Sequence, residues 1–254
     1  MEALRHFGRV CFAIGIGAFG VQYLLYGRYE GGLAPVPPWT PGGTIGAYVV
    51  GVFLVVSAFS IAARWNARFF AALLGLLFLL CMVFLHLQHF SDVIHNGRER
   101  TRALEPLSIA GAAFVLTGIS PSSAVLSSWD KAVAHLSKLG RHIFALPMII
   151  FGVQHFLYTG FIATLIPGWI PGHTFWVYFT GCGFIAAGAC ISTQILGRLA
   201  ALSLGLMFLL WAVCLHAPRV IASPHNGDEW SSAFVALAFA GASFFIAKTI
   251  PDRP

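Results

Sequence analysis

Long apolar runs alternate with short polar islands along this chain. Eight runs approach or exceed the roughly 20 apolar residues needed to cross a bilayer. They are Val10 to Gly27, Thr44 to Ala63, Phe69 to Phe90, Leu107 to Val125, Ile143 to Thr164, Thr174 to Gln194, Leu199 to Ala217 and Ser232 to Ala247. Backbone polar groups in hydrocarbon must be satisfied within their own segment, so each run predicts a helix and not a strand. The pattern predicts an all-α membrane protein with eight transmembrane helices.

The pattern is also written twice. From Trp39 onward the two halves align at a constant offset of 130. Trp39, Pro41, Gly42, Thr44, Tyr48 and Gly51 match Trp169, Pro171, Gly172, Thr174, Tyr178 and Gly181. Further on, Arg68, Gly75, Phe78 and His86 match Arg198, Gly205, Phe208 and His216. Before Trp39 the offset is 132, because the first loop carries two extra residues in its Pro-rich stretch, and FGVQYLLY (Phe19 to Tyr26) recurs as FGVQHFLY (Phe151 to Tyr158). Residues 1–126 and 142–254 each hold four helices, joined by a linker at 127–141. An even number of helices returns the chain to its starting side. Two parallel-oriented four-helix repeats are therefore expected, related by an axis along the membrane normal. In the linker, Trp129, Val133 and Leu136 fall at helical spacing, which predicts a short helix lying in the interface.

Composition agrees: 58% of residues are hydrophobic and only 9% charged, against about 25% charged in a soluble domain. The net charge of +6 comes from basic residues scattered between the runs, which reads as topology signals and not as a nucleic-acid surface. Ten Lys and Arg fall on the side of both termini and the linker, and five on the other. Both termini are then cytoplasmic in an inner-membrane protein. The amino terminus resembles a signal peptide, but the FGVQ echo deep in the chain makes it a retained structural helix. The five cysteines lie inside apolar runs and show neither zinc-ligand spacing nor a disulfide framework; no metal site is expected.

With this topology the unusual polar residues gather toward the outer leaflet. Gln22, Gln154 and His155 lie in the outer halves of their helices, and His86 and His216 lie near the outer ends of theirs. His95 and His225 occupy the loops that follow. Polar groups at membrane depth are costly and often mark a site, so these seven are the candidate ligand-binding residues. Their plain alternative is an interfacial side chain that wets its edge. Paired axial histidines for haem b would be His155 with His216. Trp39, Trp169, Trp176 and Tyr178 read as interfacial aromatic anchors.

The loops themselves repeat His-Asn-Gly-x-Glu: His95, Asn96, Gly97 and Glu99 match His225, Asn226, Gly227 and Glu229. Asn96 and Asn226 fit helix N-caps. Glu99 and Glu229 stand where an N3 carboxylate reaches back to the cap amide. Capping accounts for Asn, Gly and Glu without a ligand, but does not require the histidine.

At IPGWIPGHTFWVYFTGCGFIAAGACI (Ile166 to Ile191) the sequence resembles the DoxX-like membrane proteins, through Trp169, Phe175, Trp176, Tyr178, Thr180 and Gly181. The family's four-helix unit matches each half, so the resemblance implies a tandem duplication. Ile45, Gly46 and Val50 depart from the motif in the first half, which implies an asymmetric site with the second half closer to the family. The resemblance implies membrane residence and, through the DoxD type, a redox-associated subunit with a quinone-type or other small-molecule site near the outer leaflet. In that role the Gln and His side chains would donate to carbonyl oxygens. A non-catalytic scaffold or assembly partner is the alternative. A transporter comes third, because the predicted spans contain no acidic residue. The partners implied are the lipid bilayer and a redox or assembly protein, with no nucleic acid. The sequence offers no nucleophile or nucleotide loop, and leaves open whether the protein is an enzyme.

Overall fold

The computed structural model describes residues 2–28, 43–86, 88, 90–119 and 128–251. Trp39 and most of the first loop lie outside the described residues. Among those residues there are no strands, and eight helices are long and apolar enough to cross a membrane. They are α1 (Glu2–Tyr26), α2 (Gly43–Ala63), α3 (Ala67–Cys81), α5 (Gly97–Ile119), α6 (Ser128–Leu157), α8 (His173–Thr193), α9 (Gly197–Trp211) and α11 (Gly227–Ala247). Three short helices precede α5, α8 and α11: α4 (Phe90–His95), α7 (Thr159–Thr164) and α10 (Ala217–Ala222). Both α3 and α9 run on into a π-helical segment, Met82–His86 and Ala212–His216.

Two elements extend beyond their apolar runs. α5 begins at Gly97 and not at Leu107, because Arg98 to Pro106 is already helical. The expected interfacial linker helix is not a separate element: one helix runs unbroken from Ser128 to Leu157. Its first turns dock on α5, with Val133 fully buried. Ser137 Oγ donates to Val115 O at 3.3 Å, and Thr117 Oγ1 lies 3.4 Å from Val133 O. At the same end Arg68 and Asp130 form an ion pair at 2.7 Å, with 5% of the Asp130 side chain exposed. These contacts give the segment a protein surface to cover.

Each spanning helix packs against the next, and α11 closes the ring on α1. α5 and α11 also touch each other, pinching the ring into two lobes. The first lobe holds α1, α2 and α3, the second α6, α8 and α9, with α5 and α11 shared as the wall between. This explains why 72% of the central window of α5 and of α11 is buried, against 22–39% in α2, α3, α6, α8 and α9.

Glycine makes the close seams. A β-carbon on Gly8 of α1 would lie 2.7 Å from Gly241 O of α11, and one on Gly111 of α5 would lie 2.6 Å from Gly140 O of α6. Such small-residue contacts let helix backbones meet where lipid supplies no hydrophobic drive. Gly20 with Gly51 and Gly152 with Gly181 do the same for α1 with α2 and α6 with α8. These contacts recur at the 130 and 132 offsets of the sequence. The exception is instructive: Gly17 faces Ala58, whereas at the corresponding places Ile149 faces Gly188. The bulk has moved from one helix to the other.

Candidate functional site

At the end of the bundle that carries the HNG turns, Asn226 Oδ1 accepts from Asp228 N at 3.0 Å, and Asn96 Oδ1 accepts from Arg98 N at 2.9 Å. Both asparagines thus cap a spanning helix at the amide of its second residue, in the first turn. The carboxylates do not complete a capping box. The Asn96 amide is taken by Asp92 O and the Asn226 amide by Ser223 O. Glu99 instead pairs with Arg102 at 3.2 Å. Arg100 closes the turn by donating to Val93 O at 3.2 Å and to Ile94 O, carbonyls in the last turn of α4.

The glycine of the motif has its own reason. A β-carbon at Gly97 would meet the Tyr158 ring at 2.5 Å. Beneath that ring Gln154 Nε2 donates to Gly97 O at 2.9 Å and to Thr101 Oγ1 at 3.2 Å, while Thr101 Oγ1 donates to the same Gly97 O at 3.0 Å. Gly97 O can only accept, which fixes the amide nitrogen toward it. Gln154 is 5% exposed, and its Oε1 is buried without a hydrogen-bond partner among the described residues. Gln22 occupies the corresponding place in the first lobe, but there Oε1 accepts from Ser231 Oγ at 3.4 Å. One glutamine is therefore satisfied through its oxygen, and the other has that oxygen left over.

His155 follows Gln154 but faces α8 and α9. Its Nδ1 lies 2.8 Å from Phe151 O and must donate there, so Nε2 of the neutral ring is an acceptor. The ring stacks on Trp211 (centroids 6.1 Å apart, 22° between planes) and lies 5.2 Å from the Phe184 ring. Phe184, Phe208, Phe239 and Phe144 continue this aromatic column into the second lobe. The matching positions of the first lobe hold Tyr23, Leu54, Phe78, Ile109 and Phe12, and Cys81 stands where Trp211 does. Among the described residues, only the second lobe thus combines a histidine acceptor with stacked rings.

The π segments place the other two histidines. A π turn closes over five residues and recurs at functional sites in other proteins. It returns His216 to roughly the face of Trp211, one turn nearer the HNG end. His216 is half-buried and its Nδ1 has no hydrogen-bond partner among the described residues. His86, at the end of the first π segment, is 3% exposed. The structure does not bring His95 or His225 into this group. Both are exposed, and His95 Nδ1 binds Ser91 O at 2.8 Å within α4. Trp169, Trp176 and Tyr178 are exposed at the same end, with Trp176 Nε1 donating to Pro171 O at 3.2 Å and Tyr178 stacked on Phe156. Among the described residues no three His, Cys, Asp or Glu side chains cluster as a metal set.

Sequence reading missed Glu105. The true start of α5 puts this carboxylate inside a spanning helix, eight residues or about 12 Å from Gly97. The expectation of spans without an acidic residue is corrected accordingly. It was missed because the apolar run was taken to begin at Leu107, after the charged stretch. Among the described residues no hydrogen bond or ion pair engages Glu105; Arg102, one turn above, is held by Glu99.

No family model matches the chain, and neither does any curated protein or solved structure.

Proposed function

We propose that this polytopic membrane protein binds a small, apolar-bodied ring molecule at the HNG end of its second lobe, and that the ligand supplies the hydrogen-bond donors. One observation carries the reading: the Gln154 side chain is buried, its amide hydrogens are committed, and its oxygen has no partner among the described residues. A buried acceptor without a donor costs about 1–3 kcal/mol, and a ligand hydroxyl or N–H would remove that penalty. His155 Nε2 asks for the same chemistry, and the Trp211 and Phe184 rings supply faces for a flat body.

A quinone-type molecule fits this proposal only in its reduced, hydroxyl-bearing form, because a quinone carbonyl has nothing to give to Gln154 Oε1. The donation to carbonyl oxygens expected from sequence is replaced accordingly. A redox-associated role near the outer leaflet, with the DoxX-like resemblance through Trp169, Phe175, Trp176, Tyr178, Thr180 and Gly181, belongs to this proposal.

The test is binding of decylhydroquinone to purified protein in mild detergent, followed by thermal stabilisation. Native protein should be stabilised, while His155→Ala should melt near the native temperature yet lose the response. Equal response in native and His155→Ala protein, or none in either together with no ring compound in the organic extract, would overturn the reading.

A further inference from the structure

The end of the bundle opposite the HNG turns buries a cation without a partner. Arg5, Arg9, Ala13, Ile16 and Gly20 fall at i, i+4, i+8, i+11 and i+15, one stripe along α1. Gly20 packs on Gly51 and Leu54 of α2, and Ala13 and Ile16 are 3% and 0% exposed. The stripe therefore faces the protein, and Arg9 on it is only 3% exposed. An arginine near a helix end ordinarily carries its guanidinium out to water. Arg9 does not, and among the described residues no hydrogen bond or ion pair engages it.

The charges that act on Arg9 are those of Arg64, Arg5 and Glu2. The two arginines repel it. The carboxylate is held by Arg5 at 2.6 Å, and Arg64 and Lys248 act on it as well. Arg64 follows the end of α2 and Lys248 the end of α11, the two helices packed on α1. Phe7 of α1 lies against Phe244 of α11, ring centroids 5.8 Å apart, which brings the end of α11 beside the start of α1. Four cations thus gather around one carboxylate, and Arg5 Nε is also buried without a hydrogen-bond partner among the described residues. At the equivalent places of the second lobe stand Ser137, Arg141, Gln194 and Gly118. There the arginine is half-buried, and among the described residues no charge acts on it.

We propose that the first-lobe cluster binds a phosphate group, that of an anionic phospholipid. A phosphate presents acceptor oxygens on several sides, and guanidinium forks match them two at a time. It supplies Arg9, Arg5 and Arg64 with the negative charge that one carboxylate does not. Basic pockets between spanning helices at headgroup depth suit lipid phosphates. Trp65, beside Arg64, and Phe7 are exposed at the same end, and they offer apolar surface to the glycerol and the first acyl carbons.

The experiment takes the full chain, delipidated in mild detergent, and adds dioleoyl phosphatidylglycerol, dioleoyl phosphatidylcholine or inorganic phosphate. Native mass spectrometry reads retained lipid, and melting curves read stabilisation. Phosphatidylglycerol should bind about tenfold or more tighter than phosphatidylcholine, the worth of a charge-assisted hydrogen bond. Arg9→Gln should erase that preference, yet melt no lower than native protein in lipid-free detergent, because it removes an unmatched charge. Arg64→Gln, at an exposed position, should weaken the preference without disturbing the fold, and decides the matter with Arg141→Gln if the Arg9 variant does not fold. Arg141→Gln removes the same charge from the corresponding place in the other lobe and should leave the preference unchanged. Equal losses in the Arg64 and Arg141 variants, or in the Arg9 and Arg141 variants, would reduce the effect to net charge and overturn the proposal. Equal affinity for the two lipids in native protein would overturn it as well. Inorganic phosphate that stabilises native protein as far as phosphatidylglycerol does, and fails with Arg9→Gln, would overturn the lipid as the source of the phosphate.

Discussion

Gln154 and Thr101 stand 3.2 Å apart on helices from different halves of the duplicated sequence. The counterpart pair, Gln22 and Ser231, also bridges the halves, at 3.4 Å. Each glutamine thus reaches from the first helix of one half to the fourth helix of the other, at the turn where the HNG motif starts that fourth helix. The polar islands are where the halves are fastened together. The two fasteners differ in polarity, because Thr101 spends its own hydroxyl hydrogen on Gly97 O whereas Ser231 gives its hydrogen to Gln22.

A double-mutant cycle separates these two pairs. Gln154→Leu with Thr101→Val should show a coupling of about 0.5–1.5 kcal/mol in detergent melting, the worth of one buried neutral hydrogen bond. The longer Gln22–Ser231 bond should couple more weakly. Zero coupling for Gln154 with Thr101 would mean that the amide does not meet the hydroxyl in the membrane.

The exchange of bulk between helices gives a second expectation. A β-carbon at Gly188 would lie 2.6 Å from Ile149 Cγ1, so Gly188→Ala should cost about 1–3 kcal/mol by overpacking. Adding Ile149→Ala should recover most of that loss, since the pair then approaches the Gly17–Ala58 contact of the first lobe. Melting temperatures of the single and double variants decide it; additive losses would show that α6 and α8 do not meet there.

How much of this was legible is clearest residue by residue. The eight helices follow from apolar runs, because a bilayer forces backbone satisfaction within each run. The start of α5 was legible in its cap, where Asn96 marked the helix entry, but the spanning part was taken to begin only with the apolar run at Leu107. Leaving residues 98–106 out of the span hid Glu105. Gln154 and His155 stood out as polar residues at membrane depth. Their hydrogen-bond polarity did not, since which amide atom is spent depends on Gly97 O, a backbone group of another helix. The π segments left no signal in the apolar runs, where Met82 to His86 and Ala212 to His216 read as ordinary helix ends. The tie of α6 to α3 was not legible either, because it rests on Asp130 meeting Arg68, a pair separated by 62 positions.

That ion pair carries a third expectation. Breaking a buried pair by removing one partner typically costs about 3–5 kcal/mol, because the remaining charge is stranded. Arg68 retains some exposure, with 17% of its side chain accessible, so Asp130→Ala should fall at the lower end of that range. The loss should vary little with salt, unlike that of the exposed Glu2–Arg5 pair. Melting curves at low and high ionic strength measure both. A strongly salt-dependent Asp130→Ala loss would place the pair in water.

The last expectation concerns which end faces out. The basic residues divide ten to five between the two ends, and two of the five arginines on the poorer side are engaged locally. Arg102 is paired with Glu99, and Arg100 is turned onto the closing carbonyls of α4. Arg5 and Arg68 on the richer side are paired as well, so the ten-to-five count itself predicts a cytoplasmic location for that end. Single cysteines in a cysteine-free background test this with a membrane-impermeant maleimide on intact cells. His225→Cys suits the HNG end, since it is exposed and leaves the Asn226 cap in place. Trp65→Cys suits the opposite end, at an exposed position between α2 and α3. The residue at 225 should label on intact cells, and that at 65 only after permeabilisation. The reverse pattern would turn the molecule over and place the Gln154–His155 site on the cytoplasmic leaflet, while labelling of both on intact cells would break the assignment of the two ends to opposite sides.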